Sequence, residues 1–219
     1  PVGPNTTVGT RYANPEKAEV LELGAKIALP TGYLNIAIFD QEIEDFQTNT
    51  FVGTGFVLAN AGSQSADGYE FDLVISPTEN IDLAISGLFI DPIYDSYVGA
   101  APGDLSGTVP SNTPEDTISS TITWNYNISG WDSFLRISHL YSSKAQLLEN
   151  PVHQALIEAQ GNGYREQDTL NLTAGFEKDN LSITLWGKNI NDDEFLTSAF
   201  IGVADLSETT FFGYPNSFK

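Results

Sequence analysis

Cysteine is absent from all 219 residues, and histidine occurs only twice. The first absence excludes disulfides, thiol catalysis and thiolate metal centres. The second leaves a thin inventory for zinc or for acid–base chemistry. Basic residues are scarce as well: 9 Lys and Arg stand against 29 Asp and Glu, for a net charge of −20. That balance repels a phosphate backbone, so nucleic acid is not an expected partner. No apolar run reaches the roughly 18 residues of a membrane-spanning helix. The opening Pro1-Val2-Gly3-Pro4-Asn5 has neither the basic nor the apolar region of a signal peptide.

What remains is built to fold. The chain is 41% hydrophobic and 17% charged, too apolar for disorder and long enough for one large or two small domains. Its apolar residues alternate far more often than they follow a helical period. Leu21, Leu23, Ala25, Ile27 and Leu29 alternate with polar residues, turn at Pro30-Thr31-Gly32, and resume at Leu34, Ile36 and Ile38. Tyr69, Phe71, Leu73 and Ile75 turn at Pro77 to Asn80 and continue as Ile81, Leu83, Ile85 and Phe89. Ile118, Ile122, Trp124 and Tyr126 return after Asn127 to Gly130 as Trp131, Leu135, Ile137 and Tyr141. Leu170, Leu172, Ala174 and Phe176 return after Lys178-Asp179-Asn180 as Leu181, Ile183 and Leu185. Eight strands in four hairpins follow, each with a turn of about three or four residues.

Long connections separate these hairpins, at Asp40 to Ser65, Asp91 to Asp116, Lys144 to Asp168, and from Asn189 onward. They hold 18 of the 29 acidic residues and 3 of the 9 basic ones, so one end of the sheet is expected to be an acidic rim. In a compact water-soluble domain four such loops count against the assignment, whereas outer-membrane barrels pair short turns on one side with long loops on the other. Alternation alone does not choose between a barrel and a sandwich, because both have one apolar and one polar face. Strand length and aromatics favour the barrel. The strands run about 12 residues, near what crosses a bilayer at a tilt. Trp124, Tyr126, Trp131 and Phe176 gather beside the short turns as an interfacial belt, with Tyr141 and Phe89 for the opposite belt. The fold class expected is therefore all-β, an antiparallel transmembrane β-barrel segment with short periplasmic turns and long extracellular loops.

Several stretches also resemble TonB-dependent outer-membrane receptors. "NPEKAEVLELGAKIAL", followed by a short turn and a strand ending "IFDQEIEDFQ", matches that family's lead-in and E-x-G-x-K strand; "NAGSQSADGYEFDL" and "LWGKNINDDEFLTS" are similar to two later signatures, and "GYPNSF" stands where the final hairpin begins. Two departures stand out: Asn216 follows Pro215 where the family usually has arginine, and the sequence stops at Lys219 before a closing strand. The resemblance implies that residues 1–219 form the C-terminal portion of the barrel, with about eight complete strands of about 22, and that the plug domain and the first part of the barrel are not present. It further implies active import of a scarce nutrient across the bacterial outer membrane, a ferric siderophore or similar metal complex or an oligosaccharide. Energy would come from the TonB complex, coupled through the missing N-terminal part. Such a receptor is not an enzyme and carries no cofactor. Two other readings stay open: a passive porin-like or structural barrel, and a secreted β-rich binding or adhesion module.

No catalytic or metal site is expected. Glu42, Glu44 and Asp45, or Asp192, Asp193 and Glu194, lack the ligand spacing of a calcium loop. They read as a solvated rim able to bridge through divalent cations to lipopolysaccharide. His139 shares parity with the apolar stripe, and His153 falls in a loop helix capped by Asn150, started by Pro151 and stopped by Gly161. Lumen parity falls on Glu22, Lys26, Glu70, Asp72, Asp82, Arg136, Trp186 and Lys188. Of these, Glu70, Asp72, Arg136, Trp186 and Lys188 are the candidate substrate contacts.

Overall fold

The computed structural model describes residues 13–52, 55–98, 100, 103–161 and 163–199. The "GYPNSF" stretch lies outside them. Eight strands run in chain order: Lys17–Leu29 (β1), Gly32–Val52 (β2), Gly55–Thr78 (β3), Ile81–Ser96 (β4), Asp116–Ile128 (β5), Trp131–Gln146 (β6), Tyr164–Lys178 (β7) and Leu181–Gly187 (β8). Each pairs antiparallel with the next, giving one sheet in sequential order. A helix, Pro151–Glu158 (α1), sits between β6 and β7.

The turns at one end are tighter than the sequence suggests, with two residues between the strands of each hairpin. Ser129 and Gly130 both have positive φ, at 54° and 80°, which is the backbone that matches the twist of a two-residue hairpin. Register then aligns the stripes across the sheet. Leu29, Gly32, Ile75, Leu83, Ile122, Ile137, Leu172 and Gly187 form one continuous row on the apolar face. Lys26, Asn35, Asp72, Ser86, Ser119, Leu140 and Thr169 form a row on the polar face.

The apolar face is exposed. In the middle of the sheet Trp124 is 49% and Ile122 41% exposed, and contiguous apolar surface of this kind marks a partner other than water. The aromatic belts take the expected places. Trp124 and Tyr126 pack at 4.7 Å beside the short turns, and Tyr69 and Phe89 stack at 4.7 Å toward the other end. Buried hydrophobic side chains gather in two small clusters at the long-loop end. One joins Phe46, Tyr94, Tyr97, Ala100 and Leu105; the other joins Leu147, Ile157 and Ala199.

The loops themselves correct the sequence reading. Asp40 to Ser65 is no loop: β2 and β3 continue as a paired ribbon to Val52 and Gly55. β4 likewise runs on to Ser96 and β6 to Gln146, and β7 begins at Tyr164. A ladder exchanges backbone hydrogen bonds whatever the side chains are. Beyond the apolar belt both faces meet water, so alternation fades while pairing persists. Helix α1 forms as its punctuation predicts, with the Asn150 side chain accepting from the backbone N–H of Val152 and His153.

Candidate functional site

The polar face is where side chains converge on a shared space. Glu70 and Asp72, two positions apart on β3, line a concavity of about 710 Å³ together with Glu22, Lys26, Asn35 and Ser86. Gly24 and Ala37 pair in the row of Glu70, and with only a hydrogen and a methyl group there this stretch of wall stays low. Asn35 Nδ2 donates to Asp72 Oδ2 at 3.3 Å.

Arg136, Trp186 and Lys188 form a second group elsewhere on the same face. Asp82, Thr123, Arg136, Thr173 and Trp186 occupy one row across β4 to β8. Arg136 Nε donates to Thr123 Oγ1 at 3.1 Å. Lys188 follows the end of β8, and its Nζ lies 5.8 Å from the centre of the Trp186 ring, within cation–π range. β3 and β6 are three strands apart, about 14 Å. The five sequence-picked residues therefore share a face but make two patches. His139 belongs to neither: it is on the apolar face, paired with Leu170 and hydrogen-bonded to Asp168.

The long-loop end holds groups that residue-by-residue reading missed. Asp45, at φ 54°, is the extra residue of a bulge opposite β3. Its insertion re-phases the strand so that Phe46 joins Ile43 on the polar side, where Phe46 stacks on Tyr94 at 5.3 Å and meets Tyr97 edge-on at 5.3 Å. Asn60 clamps the bulge. Its Nδ2 donates to the carbonyls of Asp45 and Asn14, and its Oδ1 accepts from the Asn14 N–H. Glu16 accepts from the backbone N–H of Gln47, and Lys17 pairs with Glu44 at 2.8 Å, which raises the Lys17 pKa. The stretches "NPEK", "DFQ" and "NAG" thus meet in one node. The signal was in the sequence as three short motifs; nothing local said they touch.

Tyr94 ties the loops together by donating its hydroxyl to Glu149. Burial, followed by that hydrogen bond, pushes its pKa well above the usual tyrosine value. Among the described residues no group of three or more His, Cys, Asp or Glu is arranged to hold a metal.

Comparison with known proteins settles what this architecture belongs to. The family model for the TonB-dependent receptor-like β-barrel matches residues 2–190. This chain is a member of that family. Its solved structural relatives agree in fold. The ferric yersiniabactin uptake receptor FyuA from Yersinia pestis superposes with a TM-score of 0.68 at 17% identity, over 86% of this chain and 27% of that one. The ferric preacinetobactin receptor BauA from Acinetobacter baumannii gives 0.64 at 15%, over 92% and 28%. The ferric-catecholate import receptor Fiu from E. coli K12 gives 0.61 at 18%, over 85% and 25%. The chain thus spans about a quarter of the length of these relatives. A search of curated proteins returns no match.

TonB-dependent receptors are outer-membrane barrels and transporters rather than enzymes. In this barrel family the apolar face meets lipid and the polar face lines the lumen. The abrupt end of each hairpin is then periplasmic and the folded loops extracellular. The last described stretch also acquires a role. β8 stops at Gly187, so among the described residues β7 has no strand partner on that side from Tyr164 to Asn171. Leu170 donates to Asn191 Oδ1 and accepts from the Ile190 N–H; Asp168 donates to Asp193 Oδ2 and accepts from Asn191 Nδ2. "NINDD" is a side-chain substitute for a strand. Near lipid, unpaired edge groups cost several kcal/mol each, roughly.

Proposed function

We propose that this chain is the C-terminal portion of a TonB-dependent receptor that imports a ferric siderophore across the outer membrane. The plug domain, the first part of the barrel and the TonB-coupling segment belong to the rest of the protein. The observation that carries the reading is the sheet itself: eight sequential antiparallel strands, two-residue turns at one end and packed loops at the other. The same fold occurs in three receptors for ferric chelates. The lumen contacts proposed for cargo are Glu70 and Asp72 in one patch and Trp186 and Lys188 in the other; Arg136, in the second patch, is proposed to face the plug. A net charge of −20 favours neutral or weakly charged complexes over strongly anionic ones. The extracellular rim is expected to meet lipopolysaccharide, its carboxylates bridged to lipid phosphates by divalent cations.

The test is deletion of the complete gene in its host, followed by growth and radiolabelled-iron uptake with a panel of ferric siderophores, each with and without a functional TonB. Loss of uptake of one chelate, in a TonB-dependent manner, is the expected result. Unchanged uptake of every chelate together with lost growth on an oligosaccharide moves the cargo to glycans. Uptake independent of TonB makes the protein a passive channel.

A further inference from the structure

On the lumen wall Arg136 is a guanidinium that no described carboxylate answers. Arg136 takes no part in the ion pairs among the described residues, which are Lys17 with Glu44 and Lys144 with Glu166, nor in the His139–Asp168 contact. The acid in its own row, Asp82, is two strands away, about 10 Å. That carboxylate is already engaged, accepting from Ser76 Oγ at 2.7 Å and Asn125 Nδ2 at 2.8 Å.

Arg136 is nonetheless held in place. Its Nε donates to Thr123 Oγ1 at 3.1 Å, and its guanidinium carbon lies 5.3 Å from the centre of the Phe134 ring. Phe134 in turn lies over Gly175, where an added Cβ would come within 2.1 Å of the ring. Gly175 seats Phe134, Phe134 carries the guanidinium, and Thr123 fixes its Nε. The two terminal nitrogens remain as a fork, the geometry that matches a carboxylate in two parallel hydrogen bonds. Once a filled lumen excludes water, a guanidinium here without a counter-charge is unfavourable.

We propose that Arg136 is a carboxylate-binding residue of the lumen wall whose ligand is an acidic side chain of the domain that fills the lumen. This rests on reading the chain as part of a plugged receptor. The position favours that domain over cargo as the source, because Arg136 lies only five residues into β6 from the periplasmic turn, on the far side of the barrel from the loops that cargo meets first.

The experiment uses the full-length receptor purified in detergent, with Arg136→Glu, Arg136→Gln and Arg136→Lys. Heat-modifiable migration confirms the barrel in each. Two quantities are read: the rate at which protease cleaves the lumen domain, and the Kd for the receptor's ferric chelate, identified by the uptake panel. The expected result is cleavage at least tenfold faster in Arg136→Glu and severalfold faster in Arg136→Gln. Arg136→Lys lies nearer wild type, and Kd changes less than threefold throughout. One acid-to-Arg change in the lumen domain should reverse the Arg136→Glu effect. Unchanged cleavage with Kd weakened tenfold or more overturns the proposal in favour of a cargo carboxylate, and no change in either overturns it outright. A complete gene without any lumen domain defeats the underlying reading instead, before any variant is made.

Discussion

Asn14 and Asn60 hold each other by two hydrogen bonds across 46 residues of sequence: the Asn14 N–H donates to Asn60 Oδ1 at 2.6 Å, and Asn60 Nδ2 donates to the Asn14 carbonyl at 3.0 Å. The relationship is one-sided in chemistry. Asn60 contributes its side chain, and Asn14 only its backbone. Asn60→Ala therefore removes three bonds, counting the one to Asp45, and is expected to cost about 2–3 kcal/mol. Asn14→Ala should be nearly neutral. Urea unfolding of the two variants measures the difference, and equal costs would refute the node.

Asp45 sits at φ 54° as the inserted residue of the β2 bulge. Asp45→Gly is expected to be neutral or slightly stabilising. Asp45→Val places a β-branched side chain in the left-handed region and should cost about 1–2 kcal/mol. Thermal unfolding of the pair reads this directly, and a Val variant as stable as the Gly variant would mean the bulge is elsewhere.

Neighbours on β7 test the assignment of faces. Leu172 pairs with Ile137 on the apolar face, and Thr173 pairs with Arg136 and Trp186 on the polar one. Leu172→Arg should cost about 2–4 kcal/mol of folding into lipid, and Thr173→Arg much less. Refolding into vesicles under a denaturant gradient gives both values; similar losses would erase the distinction between lipid and lumen.

Orientation is open to a direct assay because the chain has no cysteine of its own. Val152, 68% exposed on α1, lies at the extracellular end, and Asp179 lies in a periplasmic turn. In a full-length receptor freed of any other cysteine, Val152→Cys should react with an impermeant thiol reagent on intact cells, and Asp179→Cys only after the outer membrane is opened. The reverse pattern would turn the sheet upside down.

Tyr94 predicts a pH effect. Its folded pKa is raised, first by burial and then by Glu149, so the folded state holds the proton that an unfolded tyrosine releases near pH 10. The resulting stabilisation is fully present below about pH 10 and is lost as pH rises from there toward the folded value. Tyr94→Phe should leave the number of tyrosines titrating near pH 10 in the folded receptor unchanged, and should flatten the decline in stability above it. One fewer titrating tyrosine in the variant would place Tyr94 in water.

The sequence alone was enough for the eight strands, their pairing order, the two faces and helix α1. Each of these rests on local information: a period of two, a turn between stripes, an Asn and a Pro at a helix start. Tertiary structure decided the rest. Only cross-strand pairing carried β2 and β3 to Val52 and Gly55, because a ladder in water needs no apolar stripe. Only register separated Glu70 and Asp72 from Arg136, Trp186 and Lys188, since parity tells which face a side chain takes but not how far along the sheet it stands. Three motifs far apart in sequence became one node, and the stretch Asn189 to Asp193 after β8 became an edge, through hydrogen bonds whose partners no local pattern names.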